Sequence, residues 1–564
     1  MKKRTQARVR LAKTLYPLGP LLLWAAVRPE LPHFLDVTAA AHVSFRNQAS
    51  HTSRKYLPET MGSGVALFDY NRDGYLDLFF VNGAVIADPM PPGQVPDKTN
   101  PKYWNRLFRN NRDGTFTDVT VEAGLQGVGY GMGVAVGDFD NDGYPDLYVT
   151  NVGANILYRN NRNGTFSDVT PSAGVAGSGW SAGAAFVDYD RDGRLDLFVS
   201  RYLTWDFSKD LFCGLAQPGG RAYCHPDQFQ PITHLLFHND GHGRFHDVSE
   251  ESGIARSPGK GLGVAINDYD RDGWPDIVVA NDSAPEQLFH NLRNGKFEDV
   301  GTEVGVAYDE NGNTFAGMGI DFADYDNDGW PDLFINALAK QKYALFHNRA
   351  GAFDYVSGPA GMGAASFDHS GWGAKFVDYD NDGLKDLFVG QGHVMDNIEL
   401  TQPDVHHVEP PLLLRNIGGK FADVSAQSGP VFSRPYAARG VAFGDFNNDG
   451  FVDLAVNCNN DAALLLRNSG NQNHWLIVNL EGTRSNRDGI GAQLSVTTPD
   501  GKQQYAMVST ASSYLSANDK RVYFGLGSQA TVKRLEIQWP SGIKQRFSDL
   551  RADQIFAARE QAGP

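Results

Sequence analysis

Seven short acidic segments of the chain share the pattern D-x-[DN]-x-D-G-x-x-D, which has the spacing of a cation-binding loop. Positions 1, 3, 5 and 9 can direct side-chain oxygens toward one point, and glycine at position 6 permits a sharp reversal of the backbone. Because all of these donors are oxygens, with no histidine or cysteine among them, the pattern favours Ca²⁺ over zinc or copper. The alternative is a set of solvated acidic turns.

We name the segments loops 1 to 7 in chain order and predict up to seven calcium ions in them. The predicted ligands are Asp69, Asn71, Asp73 and Asp77 in loop 1; Asp138, Asp140, Asp142 and Asp146 in loop 2; Asp188, Asp190, Asp192 and Asp196 in loop 3; Asp268, Asp270, Asp272 and Asp276 in loop 4; Asp324, Asp326, Asp328 and Asp332 in loop 5; Asp378, Asp380, Asp382 and Asp386 in loop 6; and Asp445, Asn447, Asp449 and Asp453 in loop 7. Since Asn71 and Asn447 replace an aspartate, loops 1 and 7 should bind most weakly.

The charge of the chain is consistent with bound cations. The formal net charge of the 564 residues is −16, so seven divalent ions would bring the protein close to neutrality. Four carboxylates crowded together without a cation would repel one another strongly. A chain this acidic is a poor candidate for binding the phosphate backbone, and we expect no nucleic-acid partner.

Each loop belongs to a larger repeated module that predicts an all-β fold. A run of small residues precedes the loop, as in 131–137, and a short apolar run follows it, as in 147–149. Leu-x-[RH]-Asn and G-x-F-x-D-V complete the module, which makes four short strands. Seven such units predict a seven-bladed β-propeller over residues 34–470. The last module lacks its final strand, which the segment 34–38 can supply; an open array of units is the alternative.

The region 474–547 contains no acidic loop and alternates apolar strands with turn signals, which predicts a separate small β domain, most simply a sandwich. Its segments 485–492, 524–527 and 539–542 resemble the ASPIC/UnbV domain, and the modules resemble FG-GAP/VCBS repeats, which integrin α propellers also contain. Together they resemble the cartilage acidic protein family. That resemblance implies a secreted, calcium-bound propeller whose biochemical role is mostly unassigned. Residues 548–564 are predicted to be a tail.

The N-terminal residues 1–30 have the pattern of an export signal. Six lysines and arginines within the first 13 residues precede an apolar run from Leu15 to Val27. This order is typical of a signal peptide, and an uncleaved membrane anchor or a disordered basic N-terminus are the alternatives. We therefore expect an exported protein that is extracellular, periplasmic or held at the cell surface.

Two of the three cysteines lie in an insertion at about 201–233. Cys213 and Cys224 are eleven residues apart across a Gly/Pro turn, which in an exported protein predicts a disulfide. The alternative is a pair of buried thiols. The family resemblance includes the Tyr-Cys-x-Pro element at residues 223–226, and Cys458 is expected to be a buried free thiol.

Few residues outside the loops suggest catalysis. Histidines at 234, 238, 242 and 246 have helical spacing, but the glycines between them break any helix, and His238 occupies the [RH] position of the repeat. His393 follows a strand where other modules carry no histidine, and it is the best single catalytic candidate. The sequence contains no nucleophile elbow, zinc-protease motif, phosphate loop or dinucleotide motif.

The sequence thus predicts an exported propeller that binds a protein or carbohydrate ligand. The alternative is an enzyme, such as a lyase, cyclase or hydrolase, acting in the propeller channel or at the junction with the C-terminal domain. A deep cleft that holds His393 or His225 beside a perturbed carboxylate would favour the enzyme. A flat aromatic surface would favour binding.

Overall fold

The computed structural model describes residues 31–561, and the predicted signal or anchor segment 1–30 lies outside the described residues. Within the described range, none of the helices has the length and apolar character needed to cross a bilayer. Strands dominate, as the alternation of small, apolar and turn residues predicts.

Each acidic loop joins the first two strands of an antiparallel sheet that contains four strands of the repeat. We number these sheets as their loops. Their strands are Val65–Phe68, Asp77–Phe80, Arg106–Asn110 and Phe116–Asp118 in sheet 1; Tyr130–Gly137, Asp146–Val152, Ile156–Asn160 and Phe166–Asp168 in sheet 2; Ser181–Val187, Asp196–Arg201, Leu235–Asn239 and Phe245–Asp247 in sheet 3; Gly261–Asn267, Asp276–Asn281, Gln287–Asn291 and Phe297–Asp299 in sheet 4; Ile320–Ala323, Asp332–Ile335, Ala344–Asn348 and Phe353–Tyr355 in sheet 5; Gly371–Val377, Asp386–Gln391, Leu412–Asn416 and Phe421–Asp423 in sheet 6; and Ala438–Gly444, Asp453–Cys458, Leu464–Asn468 and Phe34–Asp36 in sheet 7.

The N-terminal strand completes the last sheet, as predicted from the missing element of the seventh module. Phe34 pairs with Asn468 and Asp36 with Leu466. The ring of Phe34 is fully buried and packs against Phe388 of sheet 6 and Tyr379 of loop 6. The two ends of the repeat are therefore joined by one continuous antiparallel ladder.

The first strand of each sheet contacts the first strand of the next sheet, and Val65–Phe68 of sheet 1 contacts Ala438–Gly444 of sheet 7. These strands are rich in glycine and alanine because they crowd together. For example, a Cβ atom on Gly133 would lie 2.8 Å from the carbonyl oxygen of Ala182 in the first strand of sheet 3. Side chains larger than hydrogen would force neighbouring first strands apart.

Short helical turns connect the sheets. After sheet 2, for instance, a one-turn helix ends at Gly174, whose φ of +79° is the left-handed conformation that glycine adopts without strain. The α-helical turns are Pro58–Met61, Thr120–Ala123, Thr170–Ala173, Gly301–Val304 and Met362–Ser366, and the 3₁₀ turns are Pro101–Tyr103, Pro226–Gln228, Ile254–Arg256, Ile398–Leu400, Ser425–Gln427 and Pro430–Ser433.

The insertion in sheet 3 forms a small ribbon of its own, in which Cys213–Gly214 pairs with Arg221–Ala222. Cys213 and Cys224 form a disulfide, so the predicted pairing is confirmed. Cys458 is a buried free thiol, also as predicted. The disulfide is consistent with an oxidising compartment.

The C-terminal region forms two further sheets that pack on a shared apolar core. In one sheet, His474–Glu481 lies between Val522–Gly527 and Gln554–Arg559. The other contains, in spatial order, Gln503–Met507, Gln493–Thr497, Thr531–Gln538 and Lys544–Arg551. The predicted tail from residue 548 is therefore wrong over 548–559, because Lys544–Arg551 and Gln554–Arg559 are strands of this domain. The ring centroids of Phe547 and Phe556 lie 4.9 Å apart, and both partly buried rings pack against the core of the domain.

One hairpin of the C-terminal domain leaves its own sheets and enters the centre of the repeat. Residues 509–519, which we call the plug hairpin, contain the strands Ala511–Ser512 and Ser516–Ala517. They extend sheet 1 through the pair Ala66–Ala517 and bridge to sheet 5 at Ile320–Ser513. Nothing in the sequence predicted this insertion.

The tip of the plug hairpin is fully buried. Tyr514 donates its hydroxyl to the carbonyl oxygen of Met61 at 2.7 Å and packs on Trp372 with ring centroids 4.9 Å apart. The carbonyl oxygen of Leu515 accepts a hydrogen bond from the backbone N–H of Val134 at 3.0 Å. The space between the first strands is thus filled by this hairpin.

Candidate metal centre

The backbone of each acidic loop wraps around the first aspartate. In loop 2, the Asp138 carboxylate accepts hydrogen bonds from the N–H groups of Asp142 at 2.9 Å and Gly143 at 2.6 Å. Gly143 has a φ of +93°, so the predicted reversal at position 6 is present. The Asp142 carboxylate in turn accepts from the N–H of Tyr144 at 2.9 Å. Carboxylates at positions 1 and 5 are therefore held in place by the loop itself.

The aspartate at position 9 is the first residue of the second strand, and its carboxylate accepts a hydrogen bond from the third strand. Asp146 is buried, and its carboxylate accepts from the N–H of Asn160 at 2.8 Å and from that of Phe139 at 3.1 Å. Position 9 thus joins its own loop to the last residue of the third strand. The same pair of contacts holds Asp276 in loop 4, through Asn291 and Tyr269.

The asparagine of Leu-x-[RH]-Asn links each sheet to the loop before it. The side-chain amide of Asn160 donates to the carbonyl oxygen of Tyr70 in loop 1, and that of Asn110 in sheet 1 donates to Phe446 in loop 7. The other five members of this asparagine ring reach the preceding loop in the same way: Asn239, Asn291, Asn348, Asn416 and Asn468. The sequence contained this signal as a repeated asparagine, but its role was not predicted.

Removing one member of the asparagine ring is expected to destabilise the protein. In Asn348→Ala, the carbonyl oxygens of Tyr269 and Pro331 and the N–H of Gly351 lose their partners. The expected loss is about 2–4 kcal/mol of unfolding free energy, because buried polar groups left unpaired are costly. Urea unfolding in excess calcium measures it. Asn313→Ala, at an exposed turn, is the control; an equal loss in both variants would contradict the role of the ring.

The carboxylates of the loops are clustered and buried. Burial, and after it the neighbouring carboxylate of Asp196, raises the pKa of Asp188 to about 8. Burial likewise raises the pKa of Asp268 and of Asp324 to about 6. One carboxylate oxygen each of Asp188 and Asp324 is buried without a hydrogen-bond partner in the described part of the chain. A divalent cation would offset the repulsion between neighbouring carboxylates and would coordinate the unpartnered oxygens, so these residues fit a metal ion.

Within several of the loops, the side-chain ligand atoms lie close enough together to bind one ion. The ligand atoms of Asp138, Asp140 and Asp146 lie within 4.8 Å of one another, and so do those of Asp188, Asp190 and Asp192. Three further groups include a histidine of the third strand: Asp190, Asp196 and His238; Asp270, Asp272 and His290; and Asp326, Asp328 and His347. Several Asp and Asp/His clusters can therefore hold metal ions.

The histidine at the [RH] position was not predicted to be part of the loops. His238 lies in the strand Leu235–Asn239, which confirms that 234–246 is not a helix. Its Nδ1 atom is 3.2 Å from Oδ1 of Asp196 and 3.5 Å from Oδ2 of Asp190. In loop 6 the equivalent Arg415 instead donates from Nε to Asp380 at 2.8 Å. The sequence signal was the register of the third strand beside the loop.

The C-terminal domain lies directly on the acidic loops. The Asp488 carboxylate accepts from the N–H of Asp138 at 2.8 Å, and Gln493 donates to Asp268 at 2.5 Å. Arg521 donates to the carbonyl oxygen of Asp445 at 2.7 Å. The first aspartates of loops 2, 4 and 7 are therefore in contact with this domain.

Two cavities lie at this junction. One of about 350 Å³ adjoins loops 1 and 2, and one of about 180 Å³ adjoins loops 4 to 6. Both are lined in part by residues 519–521 at the base of the plug hairpin. Within them Lys520 pairs with Asp488 at 2.7 Å and Arg521 with Asp519 at 2.5 Å, so these charges are already matched.

His393 lies at the opposite ends of the strands from the loops. The second strand of sheet 6 begins at Asp386 in loop 6 and ends at Gln391, two residues before His393. The ring accepts from the N–H of Met395 at 3.0 Å, and burial lowers the pKa of His393 to about 4, with Arg439 adding to the shift. Over residues 31–561, no carboxylate hydrogen-bonds this ring, so the expected histidine–carboxylate pair is not formed there.

His225, the second histidine considered for catalysis, is exposed on the surface. Its Nδ1 atom lies 3.4 Å from Asp227, whose carboxylate also pairs with Lys260 at 2.7 Å. The hydrogen bond from Lys260 lowers the pKa of Asp227, so this carboxylate is already paired, and His225 is exposed rather than held in a deep cleft.

Glu59, also at the end of the sheets away from the loops, is a fully buried acid. Its carboxylate accepts from the N–H and hydroxyl of Thr52 at 3.1 and 2.5 Å and from the N–H of Tyr56 at 3.0 Å. Burial outweighs these hydrogen bonds and raises the pKa of Glu59 to about 7. The folded protein therefore holds this proton more tightly than the unfolded chain.

Glu59→Gln is expected to weaken the pH dependence of stability. The wild-type contribution is most favourable below about pH 4.5 and is lost as pH rises through about 7, because the folded state then carries a buried charge. Between about pH 5 and pH 8 the variant should lose about 1–3 kcal/mol less stability than the wild type. Urea unfolding at both pH values in excess calcium measures this. The exposed Glu298→Gln should keep the wild-type dependence; an unchanged slope in Glu59→Gln would contradict the expectation.

Comparisons with known proteins identify both parts of the chain. The FG-GAP-like repeat family matches residues 96–149, 140–199 and 268–335, and the ASPIC and UnbV family matches residues 482–564. Cartilage acidic protein 1 of Homo sapiens is 25% identical over 307 residues, 52% of this chain and 43% of that protein. The Xenopus tropicalis protein of the same name is 31% identical over 169 residues, 28% of this chain and 25% of that protein. This chain therefore matches less than half of the length of these relatives.

Solved structures with a partly similar backbone include a lectin and a biofilm matrix protein. An Agrocybe aegerita lectin described as recognising non-reducing terminal N-acetylglucosamine has a TM-score of 0.35 and 16% identity, covering 64% of this chain and 79% of the lectin. The biofilm matrix protein Bap1 of V. cholerae has a TM-score of 0.29 and 12% identity, covering 91% of this chain and 70% of that one.

Proposed function

Because this chain joins FG-GAP-like repeats to a C-terminal ASPIC and UnbV domain and is a distant homologue of cartilage acidic protein 1, we propose that it is an exported, calcium-stabilised β-propeller that binds a protein or carbohydrate ligand. The observation that carries the proposal is the set of buried, clustered carboxylates in the repeated loops. The disulfide between Cys213 and Cys224 supports export, since such bonds persist in oxidising compartments.

In this proposal the seven sheets are the blades of one closed propeller. The asparagine ring supports closure, because Asn110 of sheet 1 donates to Phe446 of loop 7 just as every other member donates to the loop before it. The pairing of Phe34–Asp36 with Leu464–Asn468 supports it as well. Closure leaves no exposed sheet edge between the first and last modules.

The calcium ligands in this proposal are the carboxylates and amides at positions 1, 3, 5 and 9 of each loop. Calcium suits these hard oxygen donors, and its flexible coordination accepts loops that carry Asn71 or Asn447 at position 3. The metal would neutralise carboxylates whose pKa is raised by burial, such as Asp188 and Asp268. Metal analysis of the purified protein tests this role, and a protein free of divalent ions that remains equally stable would refute it.

The ligand surface is proposed at the ends of the sheets opposite the acidic loops, because the C-terminal domain covers the loops. Large apolar side chains are exposed on two connections at those ends, in the disulfide insertion and after the second strand of sheet 6. They are Leu211, Phe212, Leu215, Leu400 and Val408. Exposed apolar residues gathered on loops are typical of binding surfaces.

Substitution of this surface tests the binding role. A glycan array and a co-purification screen with the full chain would define the ligand, and Phe212→Ser should then weaken binding at least about tenfold while the melting temperature in calcium is unchanged. The exposed Val121→Ser, next to sheet 1, is the control. If Phe212→Ser and Leu400→Ser both bound the ligand as tightly as the wild type does, the ligand site would lie elsewhere.

An enzyme at the junction is the second candidate, and the cavity of about 350 Å³ beside residues 519–521 is the observation that favours it. The channel position is not supported, because the plug hairpin occupies the centre of the sheets. Lys520→Gln, which alters a side chain that lines this cavity, distinguishes the two functions: ligand binding at the opposite ends of the sheets should be unchanged if the protein only binds. Loss of a measured turnover with intact calcium content and melting temperature would instead place catalysis in this cavity.

A further inference from the structure

The third-strand side chain beside each acidic loop divides the loops into two classes. Modules 1, 2, 6 and 7 carry an arginine at the [RH] position, whereas modules 3, 4 and 5 carry a histidine. The arginines are Arg109, Arg159, Arg415 and Arg467, and the histidines are His238, His290 and His347. A guanidinium cannot coordinate a cation, but a neutral imidazole can, so the two classes differ in the ligands they offer.

In all three histidine loops, the Nδ1 atom faces the carboxylates. It lies 3.2 Å from Asp196 in loop 3, and 3.1 Å from Asp276 in loop 4 and from Asp332 in loop 5. His290 and His347 hydrogen-bond to these carboxylates at this separation. Adjacent ligands of one ion lie about 3.0–3.4 Å apart when each is about 2.1 Å from the metal, so a nitrogen and an oxygen at these positions are also close enough to bind the same ion.

Loop 3 contains the fullest set of donors. Asp190 belongs both to the group with Asp188 and Asp192 and to the group with Asp196 and His238, so the two groups meet at this side chain. One oxygen of Asp188, a residue only 3% exposed, has no hydrogen-bond partner among the described residues. In loop 5 one oxygen of Asp324, which is 4% exposed, also has no hydrogen-bond partner among the described residues. These oxygens lack a partner that a bound cation would supply.

We propose that loops 3, 4 and 5 are mixed nitrogen–oxygen sites for a first-row transition ion such as Zn²⁺, with His238, His290 and His347 as ligands beside the carboxylates. Imidazole nitrogen suits zinc and neighbouring transition ions, whereas calcium prefers oxygen alone. The four arginine loops keep oxygen donors only and remain calcium sites. This inference rests on the proposed cation-binding role of the loops and adds a second class of metal to it.

Metal titration of the full chain tests the assignment. Protein stripped with a chelator is saturated with Ca²⁺, titrated with Zn²⁺, passed through a desalting column and analysed for both metals. The wild type should retain three equivalents of zinc in excess calcium, and the variant carrying His238→Arg, His290→Arg and His347→Arg should retain none. The variant should instead retain calcium in loops 3, 4 and 5, since those arginines reproduce the other four loops.

The reverse substitution, from arginine to histidine, should create an additional zinc site. Arg159→His places an imidazole beside loop 2, whose Asp138, Asp140 and Asp146 already form a group, and it should add one equivalent of zinc. Zinc retained equally by the wild type and the triple variant would overturn the assignment. So would a wild type that binds calcium but retains no zinc. A protein that binds neither ion would instead refute the proposed calcium role.

X-ray absorption on wild-type protein loaded with Zn²⁺ keeps the inference testable if the triple variant does not fold. Coordinated imidazole gives characteristic scattering from the ring carbons beyond the first shell, and its presence with oxygen neighbours is the expected result. A first shell of oxygen alone would show that the histidines pair with the carboxylates as Arg415 does, and would overturn the inference.

Discussion

Removal of calcium with excess EGTA is expected to lower the melting temperature of the purified protein by at least about 10 °C. An ion that binds only the folded state stabilises it by about 2.7 kcal/mol when its concentration is 100 times Kd, and several loops contribute together. The loss is larger because carboxylates such as Asp146 and Asp386 stay buried without a counter-charge. Calorimetry with parallel metal analysis measures both changes.

The control is restoration by metal. Added Ca²⁺ should return the melting temperature to its original value, and Mg²⁺ should return less, because it requires a stricter octahedral set of ligands. Asp142→Asn should lower the calcium content and the melting temperature, whereas the exposed Asp404→Asn should change neither. Unchanged melting after the metal has demonstrably left would show that the loops do not stabilise the fold.

The acidic loops and the four-stranded sheets were predictable because their information is local and repeated. Position 6 of loop 2 had to be a glycine with positive φ, and Gly143 is. The strand that completes sheet 7 was also predictable, because the seventh module lacked one strand and Phe34–Asp36 supplied it. The loop follows from a residue pattern within about ten positions, whereas the closing strand follows from comparing the incomplete seventh module with the complete ones.

The features that the sequence did not reveal depend on contacts between distant segments. His238 was correctly placed on a strand, but its position beside Asp190 depends on the register between the second and third strands. Asn160 reaches the carbonyl oxygen of Tyr70, which lies 90 residues earlier. The plug hairpin reaches Met61 from Tyr514, and its sequence of small polar residues resembles an ordinary exposed turn. Local periodicity contains no information about such partners.

The plug hairpin explains why glycine recurs in the first strands. A Cβ atom on Gly64 would overlap the carbonyl oxygen of Leu515, and one on Gly133 would lie 3.0 Å from the same atom. On Gly263 it would lie 3.1 Å from the carbonyl oxygen of Ser513. The small residues of the repeat therefore admit the hairpin as well as the neighbouring strand, and the C-terminal domain depends on them for its attachment.

Replacing Tyr514 by alanine is expected to cost about 3–5 kcal/mol of unfolding free energy, the usual loss for a large aromatic side chain in a core. The side chain is fully buried, packs on Trp372 and donates to the carbonyl oxygen of Met61. Because the hairpin is the part of the C-terminal domain that reaches the centre of the sheets, its loss should also loosen the contacts of Asp488 and Gln493 with the loops. Urea unfolding and hydrogen exchange across residues 474–559 measure the two effects.

Gly64→Ala separates attachment of the domain from loss of core volume, because it removes no side chain. The added Cβ atom would lie 2.3 Å from the carbonyl oxygen of Leu515, its nearest neighbour, and 2.8 Å from Cα of Gly133 in sheet 2. We expect increased hydrogen exchange in 511–517 and easier proteolytic release of the C-terminal domain, together with a lower melting temperature in excess calcium. Gly358→Ala is the matched control, since a Cβ atom there would meet no atom within 4 Å. Gly64→Ala could instead lower stability but leave hydrogen exchange across 511–517 at the wild-type rate. The hairpin would then not attach the C-terminal domain, which would be attached through its contacts with the acidic loops alone.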